Sequence, residues 1–256
     1  MRVIPVIDLM NGQVVRGVAG RRSEYRPIES RIAADAQPAA VARALVEHFG
    51  FDTVYIADLD AIMRGQPNAE AWKQITDAGL RLWLDAGVGT PQAAVALEER
   101  LFAITTDPTI IVGLESLVTP AIVIDLVGRV AVRFRSTRFA FSLDLAQGRP
   151  LTQIRMWKDD QPIDIARWVV KAGVQRLIVL DLADVGVARG TGTLDLCREI
   201  RREFPAIELI AGGGVRGIED LKRLADAGCD AALVASALHD GRLTRGEIRQ
   251  VENLPH

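Results

Sequence analysis

Two aspartates stand in near-identical frames half a chain apart. Val6-Ile7-Asp8-Leu9 continues through Met10-Asn11 to Gly12, and Ser142-Leu143-Asp144-Leu145 continues through Ala146-Gln147 to Gly148. A carboxylate at the end of an otherwise apolar strand is costly to bury without a purpose. Two of them in duplicated positions point to a paired acid and base facing one cavity, with burial and mutual repulsion setting their protonation equilibria apart. The residues themselves leave open which is acid and which is base. The plainer alternative is that each carboxylate caps a loop by accepting backbone N–H bonds. Asp58 and Asp181 form a second repeated pair, weaker candidates for the same chemistry, with Asp181 as a substrate contact, or else ion-pair partners of Arg64 and Arg189, which follow at similar distances.

Short apolar, β-rich runs at 3–8, 53–58, 81–85, 110–113, 138–144, 176–181, 207–211 and 231–235 would hold these carboxylates. Helical patterns with apolar residues every three or four positions alternate with them, for instance at 39–49 and 162–172. Such alternation signals parallel βα units, and eight of them in about 250 residues fit a closed (β/α)8 barrel. Four ordered matches at near-constant offset relate the halves: Asp8 to Asp144, Asp58-Leu59 to Asp181-Leu182, Asp85–Gly89 to Gly212–Arg216, and Val112-Gly113 to Val234-Ala235. We read one α/β barrel domain over 1–256, built from two duplicated half-barrels of about 1–130 and 131–256. A doubly wound sheet would leave the duplicated strand ends unexplained, and the first βα turn carries no G-x-G-x-x-G.

In such barrels the active site lies at the C-terminal strand ends, and phosphate is often held after strands seven and eight. Gly212-Gly213-Gly214 closes the seventh strand, where bare backbone N–H groups can approach an anion, and a helix starts soon after. Ala235 and Ser236 close the eighth, adding small residues and a hydroxyl. The corresponding positions of the first half hold Asp85-Ala86 and, beyond Gly113, Glu115, two carboxylates that repel a phosphate. That end of the mouth is expected to bind something neutral or cationic. The long loop from Gly12 to Pro38 reads as a lid, with Arg16 and Arg22 as its substrate contacts. The stretch 147–161 reads as the matching lid, with Trp157 available to stack on a planar ring.

Composition narrows the class. The 256 residues are about half apolar and carry a formal charge of −2, with no dense basic run, which argues against broad nucleic-acid binding. The start is too short an apolar stretch for a signal peptide, and no run of roughly 18 apolar residues suggests a membrane span. Cys197 and Cys229 form no metal or redox spacing, so a reduced, cytoplasmic protein is expected. His48, His239 and His256 are too scattered for a metal cluster.

With these residues in view, the chain resembles the HisA isomerase and HisF cyclase barrels of histidine biosynthesis. Val3-Ile4-Pro5-Val6-Ile7-Asp8-Leu9, with Gly12 and Val15-Arg16 behind it, is similar to the HisA opening. Phe141-Ser142-Leu143-Asp144 is similar to its fifth strand, and Ala211-Gly212-Gly213-Gly214-Val215 to its seventh. The resemblance implies an Amadori rearrangement of a phosphorylated aminoaldose to an aminoketose, without metal or organic cofactor. It implies Asp8 as general base at the sugar C2 proton and Asp144 as general acid opening the ribose ring. The sequence departs from that family in its first-half anion site and in Leu180, which stands where the family has a catalytic threonine. Its lid, from Gly20 to Ser30, is more similar to a HisA-like branch of methanogens and one-carbon-metabolising bacteria. Those departures keep two other expectations open: a paralogue acting on a monophosphate, in one-carbon carrier cofactor biosynthesis, and a non-catalytic phosphate-binding barrel.

Overall fold

In a computed structural model, which describes residues 1–132, 138–187 and 190–253, eight parallel strands close on themselves. The strands are β1 (Arg2–Met10), β2 (Thr53–Asp58), β3 (Arg81–Asp85), β4 (Thr109–Gly113), β5 (Arg138–Ala146), β6 (Arg176–Asp181), β7 (Glu208–Gly212) and β8 (Ala231–Val234). Each pairs with the next, and the ring shuts where Arg2–Pro5 of β1 lies against Ala231–Val234 of β8. The helices covering the barrel are α1 (Pro38–Phe49), α2 (Ala69–Asp77), α3 (Pro91–Phe102), α4 (Ala121–Val132), α5 (Pro162–Lys171), α6 (Leu194–Glu203), α7 (Ile218–Asp226) and α8 (Arg245–Glu252). Their starts follow local chemistry. Proline occupies the first turn of α1, α3 and α5, Thr90 caps α3 through Ala93 N–H, and Thr244 with Glu247 forms a capping box on α8. Among the described residues no helix is long and apolar enough to cross a membrane.

The core has two parts. One lies between the strands and the helices. The other fills the barrel with Ile4, Tyr55, Trp83, Ile111, Ile178 and Ile210. At the N-terminal end of the barrel Arg176 lies over the Trp83 ring, 4.7 Å from its centroid, and pairs with Glu208.

The first and fifth strands run two residues past the expected ends at Asp8 and Asp144. Each continues into a hairpin, β1 with Gln13–Arg16 and β5 with Arg149–Pro150. The turns are alike, with Asn11 and Gly12 at φ 53° and 74°, and Gln147 and Gly148 at φ 55° and 74°. Two consecutive left-handed residues make the tight turn that matches strand twist. The repeated Asp-Leu-x-x-Gly frame is thus a carboxylate followed, at fixed spacing, by the glycine of its hairpin turn.

Candidate active site

Strand parity decides which carboxylates face the barrel interior. Side chains alternate along a strand, so residues two apart share a face. Ile4 of β1 points inward, and so therefore do Val6 and Asp8. Trp83 carries Asp85 with it, and Ala140 carries Ser142 and Asp144. Asp8, Asp85 and Asp144 accordingly line one pocket at the C-terminal strand ends, with Glu115, Tyr55 and Arg22. The pocket encloses about 980 Å³ of empty space, its open mouth included.

On the acidic side the carboxylates are held close together. Ser142 Oγ donates to Asp144 Oδ1 at 2.6 Å and Glu115 N–H to Oδ2 at 3.3 Å. Gly87 N–H donates to Asp85 Oδ1 at 3.0 Å, with the Tyr55 hydroxyl 3.5 Å from Oδ2. Gly113 permits this approach: a Cβ there would lie 2.9 Å from Asp144 Oδ2 and 3.3 Å from Asp85 Oδ2. With Asp85 and Asp144 only 5% and 4% exposed, the charged forms are disfavoured. Burial, then Glu115 and Asp85, pushes Asp144 well above the usual carboxylate range. Burial raises Asp85 to about 7, against the pull of the Gly87 N–H. Asp8 also rises to about 7 through burial, with Arg22 opposing. Asp144 is thus pushed toward its protonated form by burial and its acidic neighbours, while on Asp8 the Arg22 guanidinium opposes the effect of burial. Such a pair has the properties of an acid and a base side by side.

The first loop lies across this pocket. Arg22 Nη2 donates to Glu115 Oε1 at 2.5 Å, spanning the mouth from the β1 side to the β4 side. Ala19 N–H donates to Val185 O at 2.7 Å, tying the loop to the segment after β6. At Gly17 a Cβ would meet Asp8 Oδ2 at 2.9 Å and Tyr25 Oη at 3.5 Å, so loop backbone rests on Asp8 with a buried tyrosine hydroxyl next to Gly17. Arg16, expected beside Arg22, is not in this pocket. Its neighbour Val15 turns inward to pack with Tyr25 and Leu59, so Arg16 faces the other way, pairing with Asp240 in a separate cleft beside His239.

Across the mouth lie Gly213, Gly214, Ala235, Ser236 and Arg242. Gly213 and Gly214 have φ of 90° and 78°. Their α-carbons are pressed against carbonyl oxygens, Asp181 O at 2.8 Å and Gly190 O at 2.1 Å from the positions their Cβ atoms would take. Gly212 lies below this level in the barrel wall, between Leu180 and Leu233, and does not reach the pocket. Arg216, next to the cradle, is occupied by Asp220, which accepts from its Nε and Nη2, both at 2.8 Å. Leu180 faces inward and lines the pocket with its apolar side chain.

Besides Arg16 and Gly212, three expectations need correction. Asp181 does not contact the pocket; opposite parity to Leu180 turns it outward, where it accepts from Gln147, Gly148 and Ala183 N–H at 3.0, 2.7 and 2.9 Å and holds the β5 turn. Asp58 is likewise outward and, among the described residues, binds no arginine. It accepts from Ala61 N–H, both nitrogens of Asn68 and Trp72 Nε1, while Arg64 pairs with Asp60 and Asn11. Arg189 and His256 lie outside the described residues. Trp157 is 1% exposed and packs edge-on against Trp168 at 5.2 Å, because the Arg155–Trp157 turn folds its indole into the outer core. It has no face left for a ligand. Asp58→Ala is expected to destabilise the fold by roughly 3–5 kcal/mol in urea unfolding, since it removes the acceptor of four donors. The Ala61 N–H and Trp72 Nε1 bonds among them are buried, and only Asn68 Nδ2 keeps another partner, in Asp60.

Tyr55, Ser142, Tyr25 and Arg242 were not foreseen. Parity signals the first two, which lie two residues from inward Ala57 and Asp144. Tyr25 and Arg242 come from irregular segments whose sequence carries no period.

A family model described as histidine biosynthesis protein matches residues 2–244. The chain belongs to that family. A protein of Parvibaculum lavamentivorans is 31% identical over 96% of both chains, and one of Caldicellulosiruptor bescii is 31% identical over 97% of this chain and 98% of its own. Both are named 1-(5-phosphoribosyl)-5-((5-phosphoribosylamino)methylideneamino)imidazole-4-carboxamide isomerase. An uncharacterised protein of Methanocaldococcus jannaschii is 32% identical over 97% of both chains. Within the histidine biosynthesis family, then, this barrel is similar both to isomerases and to a relative of undetermined activity.

Proposed function

We propose that the protein is a HisA-type isomerase that converts a phosphorylated aminoaldose to the aminoketose. One observation carries this reading: Asp8 and Asp144 face one pocket at the C-terminal strand ends, Asp144 among other acids and Asp8 beside the Arg22 loop. Protonated Asp144 donates to the ring oxygen, the C1–O bond breaks, and the nitrogen lone pair forms a C1 iminium. Ionised Asp8 then takes the C2 proton, whose electrons move toward C1 and leave an enolamine. Loss of the O2 proton and protonation at C1 give the ketone, with no net gain or loss of protons. General acid–base catalysis of this kind contributes about 10²–10⁴-fold per group. The substrate phosphate is assigned to the Gly213 and Gly214 backbone with Ser236, at a mouth that also carries Arg242.

The test is twofold: rescue of a histidine auxotroph lacking this isomerase, and turnover of the bisphosphorylated aminoaldose in vitro. No rescue at good expression, together with no turnover, excludes that substrate. The rate should also follow a bell in pH. kcat/KM is expected to rise with pH through about 7, as Asp8 loses its proton, and to fall at higher pH as Asp144 loses its own. A profile flat from pH 6 to 8 argues against Asp8 as the base.

A second reading is favoured by Asp85 and Glu115. On it, the substrate is a monophosphate whose far end is neutral or cationic, because the only arginine on that side among the described residues is already paired with Glu115. Asp85→Asn with Glu115→Gln is then expected to reduce kcat/KM at least about tenfold, the scale of one lost charged hydrogen bond. Unchanged kinetics in the double variant removes the basis for this reading.

A further inference from the structure

Arg22 is the only strongly basic group on the acidic side of the pocket among the described residues, and a loop supplies it. Three features fix it there: its bond to Glu115 across the mouth, the Ala19–Val185 backbone bond, and the close contact of Gly17 with Asp8. The groups facing Asp8 can be taken element by element. The loop brings Arg22 and Tyr25, β2 brings Tyr55, β3 Asp85, the turn after β4 Glu115, and β5 Asp144. Among the described residues the segment after β6 presents only Leu182, Val185 and Gly186, and Arg242 stands with Ser236 at the anion end. Among the described residues, removing the loop would thus leave acids, hydroxyls and apolar side chains around Asp8.

We propose that Arg22 is a positioning residue that couples closure of this loop to the charge of Asp8, with Glu115 as the latch that keeps it in place. The proposal rests on the reading of Asp8 as the base. With the loop shut, the guanidinium favours the carboxylate form, and the base is ready once substrate is enclosed. With the loop open, Asp8 takes up a proton and idles, so an unclosed site abstracts none. Arg22 already lowers the affinity of both Asp8 and Asp85 for protons. An opposite charge within about 4–6 Å typically moves a carboxylate by about 1–3 pH units.

The latch gives a test of sign. Deleting a negative charge by Glu115→Gln should, by electrostatics alone, make Asp8 more acidic. If Glu115 instead serves to hold Arg22, the same change frees the arginine and makes Asp8 less acidic. Asp8 is followed by ¹³C-carboxyl NMR titration, its signal identified by its absence in Asp8→Asn. The midpoint is expected to rise by about one unit or more in Arg22→Gln, to rise also in Glu115→Gln, and to stay near the native value in Arg22→Lys. At pH 7 an upward shift of about one unit leaves roughly a fifth of the ionised base, so kcat/KM falls about fivefold and recovers at pH 9. The titration needs no substrate, so absent isomerase activity tells against the proposed reaction and leaves this readout intact. An unmoved midpoint in Arg22→Gln overturns the coupling, and a lowered or unmoved one in Glu115→Gln overturns the latch.

Discussion

Asp8→Asn is expected to lower kcat/KM for aminoaldose isomerisation by about 10³-fold or more while leaving phosphate-ligand affinity within a factor of about three. The same variant should unfold at higher denaturant than the native protein above neutral pH. The sign follows from linkage. The Asp8 pKa stands at about 7 in the folded chain and near 3.8 in the unfolded one. Between those values the folded state holds the extra proton, so its stability falls as pH rises and is lowest above about 7. Asparagine removes the penalty of the charge. The ceiling on that gain is roughly 4 kcal/mol at pH 8, and about 1–2 kcal/mol is expected because Asp8 keeps partial contact with the open pocket. At pH 4 the gain should vanish. An enzyme that loses activity and gains stability in one substitution shows a group held in place for chemistry. Loss of activity with unchanged or reduced stability at pH 8 would instead mean that Asp8 is structurally bonded as a carboxylate in the native state, which overturns its raised proton affinity.

The barrel was legible in the sequence because buried parallel strands are short apolar runs, and their punctuation by helical spacing is hard to mistake. Asp8 and Asp144 were legible for a related reason: a charge ending such a run stands out, and it recurs. The errors at Asp58 and Asp181 come from one omission. Counting parity outward from Ile4, Tyr55 and Ile178 separates inward Asp8, Asp85 and Asp144 from outward Asp58 and Asp181, and the same count finds Tyr55 and Ser142. Parity also fails where strands become hairpins. Arg16 was read as a loop residue free to reach the pocket, yet strand pairing of Val15 with Asp8 turns Arg16 away. Trp157 lay in a segment without period, and nothing in its sequence tells a stacking platform from a core plug. The Arg22–Glu115 bond joins residues from two loops on different sides of the mouth. Only the closed ring brings them together.

Gly214→Ala is expected to raise the KM for the phosphorylated substrate by roughly 10–10²-fold, the cost of losing one or two hydrogen bonds from backbone N–H groups to a charged phosphate. Backbone conformation alone does not produce that effect, and the molecule carries its own control. Gly12 and Gly148 each have φ of 74°, close to the 78° of Gly214, yet a Cβ at either would meet nothing within 4 Å. Alanine at those turns therefore costs only the left-handed strain, about 1–2 kcal/mol of stability, with KM unchanged. At Gly214 the same methyl would lie 2.1 Å from Gly190 O, a backbone atom with no flexible side chain to yield, so the cradle and the segment after β6 must separate. Comparing the three variants by urea unfolding and by isothermal titration with inorganic phosphate isolates close approach from strain. Equal phosphate affinity in all three would place the anion away from Gly213 and Gly214. Selective loss in Gly214→Ala would tie it to the one end of the mouth where bare backbone, a serine hydroxyl and Arg242 meet no carboxylate of the acidic cluster.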